Sequence, residues 1–86
     1  MIITNIRNAA ATQIQIYPNP SKDQVNINAT YEINKIEILN NLGLSILKEI
    51  VESKVYQFNV SYLSPGIYFL KIENKQGSTL HKVLIQ

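Results

Sequence analysis

His81 is the only histidine in the chain, and it sits in the alternating run "STLHKVLIQ" on the same strand face as Val83 and Ile85. A lone histidine in such a place is far more often a packing or surface residue than a catalytic base or metal ligand. Asp23, the only aspartate, follows "PNPSK", where aspartate commonly bonds to local backbone. The glutamates, Glu32, Glu37, Glu49, Glu52 and Glu73, fall at solvent-facing positions or turns. Nothing in the spacing brings two carboxyl groups within the roughly 5–10 Å that paired-carboxylate chemistry needs. With no cysteine, thiol catalysis, disulfides and cysteine-based metal sites are removed together. Gly43, Gly66 and Gly77 are isolated turn glycines rather than a phosphate loop, and the serines have no base beside them. The sequence predicts no enzyme, no cofactor and no metal.

Binding chemistry is almost as sparse. Eight Lys and Arg against six Asp and Glu leave a net charge of +2, with pI near 9.0. The lysines are spread along the chain with acids between them, so the clustered basic stripe of a nucleic-acid binder is missing. A sugar-binding module would use exposed aromatics. There is no tryptophan, and Tyr56, Phe58, Tyr68 and Phe69 sit in strands where core packing is expected. Tyr17, Tyr31 and Tyr62 lie near turns and supply the argument for a carbohydrate-binding or adhesive module as the alternative reading. The two Asn-x-Ser/Thr triplets, at Asn28 and Asn59, carry no weight in a chain this rich in asparagine. The longest apolar run, "GIYFL", is far short of a membrane helix, and the N-terminal residues lack the pattern of a signal peptide.

These side chains are carried by elements whose period is two. "IQIY", "QVNIN", "KIEIL" and "VYQFNV" each put apolar residues on one face and polar residues on the other, as half-buried strands do. "GIYFLKIE" and "STLHKVLIQ" are apolar on both faces, which predicts central or doubly covered strands. "SILKEI" is compatible with a short helical turn, but its length and the adjoining "NNLG" favour a strand after a hairpin. Pro18 and Pro20 end the first strand, "NNLG" provides residues for positive φ, and "LSPG" and "ENKQG" close further turns. About seven short antiparallel strands are expected, near 14–17, 24–28, 35–40, 45–50, 55–60, 67–73 and 79–85, in an all-β sandwich or barrel. Residues 1–13 read as a linker or leader from an upstream cargo, and residues 14–86 as one domain.

Taken in order, "IYPNPSKDQVNI", "IEILNNLGLSIL" and "VSYLSPGIYFLKIENKQGSTLHKVLIQ" resemble the type A C-terminal sorting domain of the Bacteroidetes type IX secretion system, collinearly from about Ile14 to Gln86. The resemblance implies a small immunoglobulin-like β-sandwich at the C-terminus of a larger cargo. The cargo would pass through the periplasm, be addressed to the outer-membrane translocon and its shuttle proteins, and finish at the cell surface or in the medium. A sortase-like surface protease would remove the domain, and the cargo would be released or joined to anionic lipopolysaccharide. No nucleic-acid partner is implied. The family pattern falls on Tyr17, Pro18, Asn19 and Pro20 as the boundary motif, and on Gly66, Tyr68 and Gly77. It also falls on Lys82, Val83 and Ile85, which with Leu84 and Gln86 make up the final strand, expected to serve translocon recognition or the fold. Processing would fall in the leader, over Asn8, Ala9, Ala10, Ala11, Thr12 and Gln13. Many family members end on a basic residue; here the chain ends on Gln86, leaving Lys82 as the nearest positive charge. The final strand is the better expectation for recognition, because strand addition at a sheet edge is a common way to read such a segment. "YPNP" would mark the corner where a flexible leader becomes a rigid domain.

Overall fold

A computed structural model describes residues 14–86 and shows an all-β chain, with no helix among the described residues. Five strands follow one another: β1 (Ile14–Tyr17), β2 (Gln24–Leu39), β3 (Ser45–Asn59), β4 (Gly66–Asn74) and β5 (Gly77–Ile85). They form one antiparallel, curled sheet. β3 lies along one side of β2 for most of its length. The other side of β2 is shared, with β1 on residues 26–29 and β4 on residues 33–39, and β5 lies outside β4.

The seven expected strands are therefore five. Their sequence pattern shows why. In β2 the buried residues are odd-numbered at Val25, Ile27, Ala29 and Ile33, and even-numbered at Ile36 and Ile38. A change of phase in a period-two pattern can come from a break in the strand or from an inserted residue. Between Ile33 and Lys35 the chain of β2 has one residue more than β4, so Asn34 is the additional residue of a bulge there, whereas against β3 the additional residue lies on β3, between Ile50 and Ser53. A further irregularity between Asn28 and Ile33 lets the strand bend without ending. β3 bends opposite it, where Glu52 takes φ 53°. The expected segments 24–28 and 35–40 are thus two arms of β2, and 45–50 and 55–60 are two arms of β3.

The bend divides the sheet into two halves that close on one core. The first half holds β1 with the near arm of β2 and the far arm of β3; the second holds the remaining arms with β4 and β5. Val25 and Phe58 of the first half meet Ile38, Tyr68, Leu70, Val83 and Ile85 of the second around a residual space of about 10 Å³. That is barely room for one water, so the two halves are packed against each other. Ile27, Ile33, Ile36, Leu70 and Ile72 are the largest fully buried side chains of the core, and burial stabilises the fold by roughly 1.5–3 kcal/mol for each such side chain.

The turns use local polar groups. The Asn40 carboxamide oxygen accepts from the amides of Leu42 and Leu44, and Gly43 takes φ 83°, which closes the hairpin between β2 and β3. Between β3 and β4 the buried Tyr68 donates its hydroxyl to the Ser64 carbonyl at 2.7 Å. β4 is central, as its apolar character predicts. β5 is an edge strand, and its second face is uncovered: Leu80 and Leu84 are exposed there, beside Ile67 of β4.

Candidate recognition surface

The side chains of β5 alternate between core and solvent. Val83 and Ile85 point into the core, while Lys82, Leu84 and Gln86 are exposed. The backbone alternates in the same way. Val83 pairs with Tyr68 and Ile85 with Gly66 across the ladder to β4, whereas Leu84 turns both its amide and its carbonyl to the outer edge.

That edge is already occupied by the boundary motif. The Asn19 Nδ2 donates to the Lys82 carbonyl at 3.2 Å, and the Leu84 amide donates to Asn19 Oδ1 at 3.1 Å. One residue pair further along, the Ser21 amide donates to the Leu84 carbonyl and the Gln86 amide donates to the Ser21 carbonyl, both at 2.8 Å. Ser21 and Ile85 thereby form an isolated parallel bridge. An asparagine carboxamide carries the donor and acceptor of a peptide group, so Asn19 acts as one more link of a strand. The prolines on either side have no backbone N–H to contribute, and a side chain does the pairing in their place. Tyr17–Pro18 and Asn19–Pro20 are both cis. Ser21 is the one buried polar residue among those described, and its hydroxyl is bonded to the Pro18 carbonyl.

The two expected recognition segments, residues 17–20 and 82–86, are thus in contact. Strand addition along Lys82–Gln86 meets an edge whose hydrogen bonds are already made; the corner at "YPNP" is also an edge cover. Gly66 starts β4 opposite Ile85, Tyr68 is a core residue that ties down the preceding turn, and Gly77 starts β5 at φ 132° in the turn from β4. Gly66 and Tyr68 pair with β5 on the edge opposite Asn19, and Gly77 lies at the far end of β5. The processing region, Asn8 to Gln13, lies outside the described residues. Reading the sequence missed Ser21: it directly follows "PNP", but its partners are more than sixty residues away in the chain and no local pattern announces them.

Among the described residues no cluster of three His, Asp or Glu side chains could hold a metal ion. His81 shares a 2.7 Å hydrogen bond with Thr79, and burial lowers its pKa. The Tyr56 phenol is pushed up to about 12, first by burial and then by the hydrogen bond it donates to the Glu49 carboxylate. Both groups remain neutral at neutral pH. Lys35, Lys71 and Glu73 form exposed ion pairs at 3.8 Å, and Lys48 pairs with Glu37 at 3.9 Å; such pairs contribute little stability.

No curated protein matches the chain. A solved structure of PorZ is similar in fold, with a TM-score of 0.74 at 16% sequence identity. PorZ is an essential bacterial surface component of the type-IX secretion system of the human oral-microbiomic Porphyromonas gingivalis. The likeness covers 91% of this chain and 12% of PorZ. The family described as the secretion system C-terminal sorting domain matches residues 15–86, and so takes in β2 to β5, nearly all of β1 and every contact between Asn19 and β5. The chain belongs to the C-terminal sorting domain family of the type IX secretion system.

Proposed function

We propose that residues 14–86 are a non-enzymatic address that sends a larger, N-terminally attached cargo to the type IX outer-membrane translocon. The observation that carries this reading is the family match across residues 15–86. The cargo crosses the periplasm, meets the translocon and its shuttle proteins, and ends at the cell surface or in the medium. A sortase-like surface protease then cuts upstream of Ile14, and the cargo is released or attached to anionic lipopolysaccharide. The domain is read as an immunoglobulin-like sandwich. Two facing half-sheets support this, as does the Tyr68–Ser64 bond, which resembles the tyrosine corner of such folds.

The alternation on β5 makes recognition testable apart from folding. Deleting Lys82–Gln86 would remove Val83 and Ile85 from the core along with four hydrogen bonds to Asn19 and Ser21. Substituting only the outward residues, as in Lys82→Glu with Leu84→Ser, leaves the core intact. A fluorescent reporter with a periplasmic signal at its N-terminus and residues 1–86 at its C-terminus would be expressed in a type IX-competent bacterium. Fluorescence should reach the surface or medium for the intact fusion, fall for the double variant, and stay periplasmic without the domain. Periplasmic retention of the intact fusion, with the domain folded, would refute the sorting role. Unchanged export of the double variant would move recognition off the outward face of β5.

A further inference from the structure

The outer face of the first half-sheet differs chemically from the rest of the surface. Gln15, Tyr17, Asn26, Asn28, Gln57 and Asn59 lie on it, placed by the register of β1, β2 and β3. One row runs straight across three strands, Tyr17 beside Asn26 beside Gln57. Gln57 Nε2 donates to Asn26 Oδ1 at 2.8 Å, and Asn26 Nδ2 donates to the Tyr17 carbonyl at 3.2 Å. These bonds hold the carboxamides in fixed orientations. Above the row is an open groove of about 420 Å³, lined by Tyr17, Asn26, Ile27, Val55, Tyr56 and Gln57. That volume is within the roughly 300–1,000 Å³ range of small-molecule sites. Tyr17 is 48% exposed and Val55 59%.

We propose that this face binds a neutral oligosaccharide, a role separate from sorting. The choice of ligand follows from charge and hydrogen-bonding capacity. A carboxamide both donates and accepts, as does a sugar hydroxyl, and the face carries a carboxamide at five of the six positions named. None of the six is charged at neutral pH, whereas the outer face of the second half-sheet carries Lys35, Glu37, Lys48, Lys71 and Glu73. An anionic ligand would be drawn to lysines, and there is none among the described residues that the ladders place on this face. An extended peptide would pair through backbone along the outer edge of β1 or β3, whereas the carboxamide row lies on the sheet face between those edges, where β2 is engaged on both sides. The half-exposed Tyr17 ring supplies an apolar surface at one end of the row for the C–H face of a pyranose. Because the groove is open, affinity is modest, with Kd about 0.1–1 mM.

The test is NMR titration of the full 86-residue chain with cellohexaose, maltohexaose and mannohexaose, beside a heparin hexasaccharide as the anionic arm. At least one neutral probe should saturate and move the amide signals of Tyr17, Asn26 and Gln57. Tyr17→Ala and Gln57→Ala should each weaken it about tenfold, while Lys82→Ala leaves it unchanged. The wild-type signal map requires no variant to fold. The proposal is overturned if no neutral probe moves those signals at about 10 mM, or if only the heparin fragment binds. It is also overturned if binding survives both substitutions, or if the same signals move with protein concentration alone, which would make the face a contact between two copies.

Discussion

The Asn19 carboxamide bridges the backbone of Lys82 and Leu84, giving a proton to one and taking one from the other. Together with Ser21 it closes the outer edge of β5 at Lys82–Gln86. An unpaired edge of this kind is otherwise a template for unwanted strand pairing.

Asn19→Ala removes both side-chain bonds and should lower stability by about 1–2 kcal/mol. The Leu84 amide should also exchange with solvent faster than in the wild type, while amides in the β2–β3 ladder do not. Urea denaturation and hydrogen exchange measure the two effects. Unaltered Leu84 exchange would mean that the bond does not persist in solution.

Tyr68→Phe keeps the ring in the core and deletes the hydroxyl that reaches the Ser64 carbonyl. Loss of one part-buried bond should lower stability by about 1 kcal/mol. The loss should fall on the turn between β3 and β4, seen as faster proteolysis there. An equally stable variant would show that the ring alone fixes this corner.

His81 makes stability depend on pH. Burial lowers its pKa from the ordinary 6.5, so the unfolded chain binds this proton more tightly than the folded one. The stabilisation is complete above pH 6.5 and declines as pH falls through the lower folded value. His81→Gln should flatten the part of the profile between about pH 7 and the region near pH 4–5 where carboxylates take over. Denaturation midpoints of both proteins across that interval test it; parallel profiles would clear His81 of the effect.

Glu52 adopts φ 53°, a left-handed conformation that side-chain-bearing residues reach at a cost of about 1–2 kcal/mol. Asparagine tolerates it better and a β-branched residue worse. Glu52→Asn should therefore stabilise by about 0.5 kcal/mol and Glu52→Val destabilise by more than about 1 kcal/mol. Equal stabilities for Asn and Val would contradict this backbone geometry at the bend of β3.

Alternation of side chains made the strand segments legible in the sequence, including the arms on either side of each bend. It did not show that those arms are continuous. The change from Ile33 to Ile36 looks the same whether the chain leaves the sheet or only gains Asn34 as a bulge residue against β4. Leu80 and Leu84 misled for a related reason, since an apolar residue on a second face suggests cover, and whether cover exists depends on what lies beyond the edge. The "YPNP" and terminal-strand motifs were both visible, but not their contact. Sixty-three residues separate Asn19 from Lys82, and nothing near either residue encodes the other. The amide row of Tyr17, Asn26 and Gln57 was hidden in the same way, because its members come from three strands.

The distance along the chain between Asn19 and Lys82 also orders events in time. The β2–β3 hairpin closes around a short turn at Asn40, and β4 and β5 close around another. The edge cover on β5 can form only after everything between has been synthesised and both hairpins have met. Residues 19–21 emerge early and remain without their partners longest. The module therefore stays open for the whole of that interval, and closure of the Asn19 link marks the moment when it is finished.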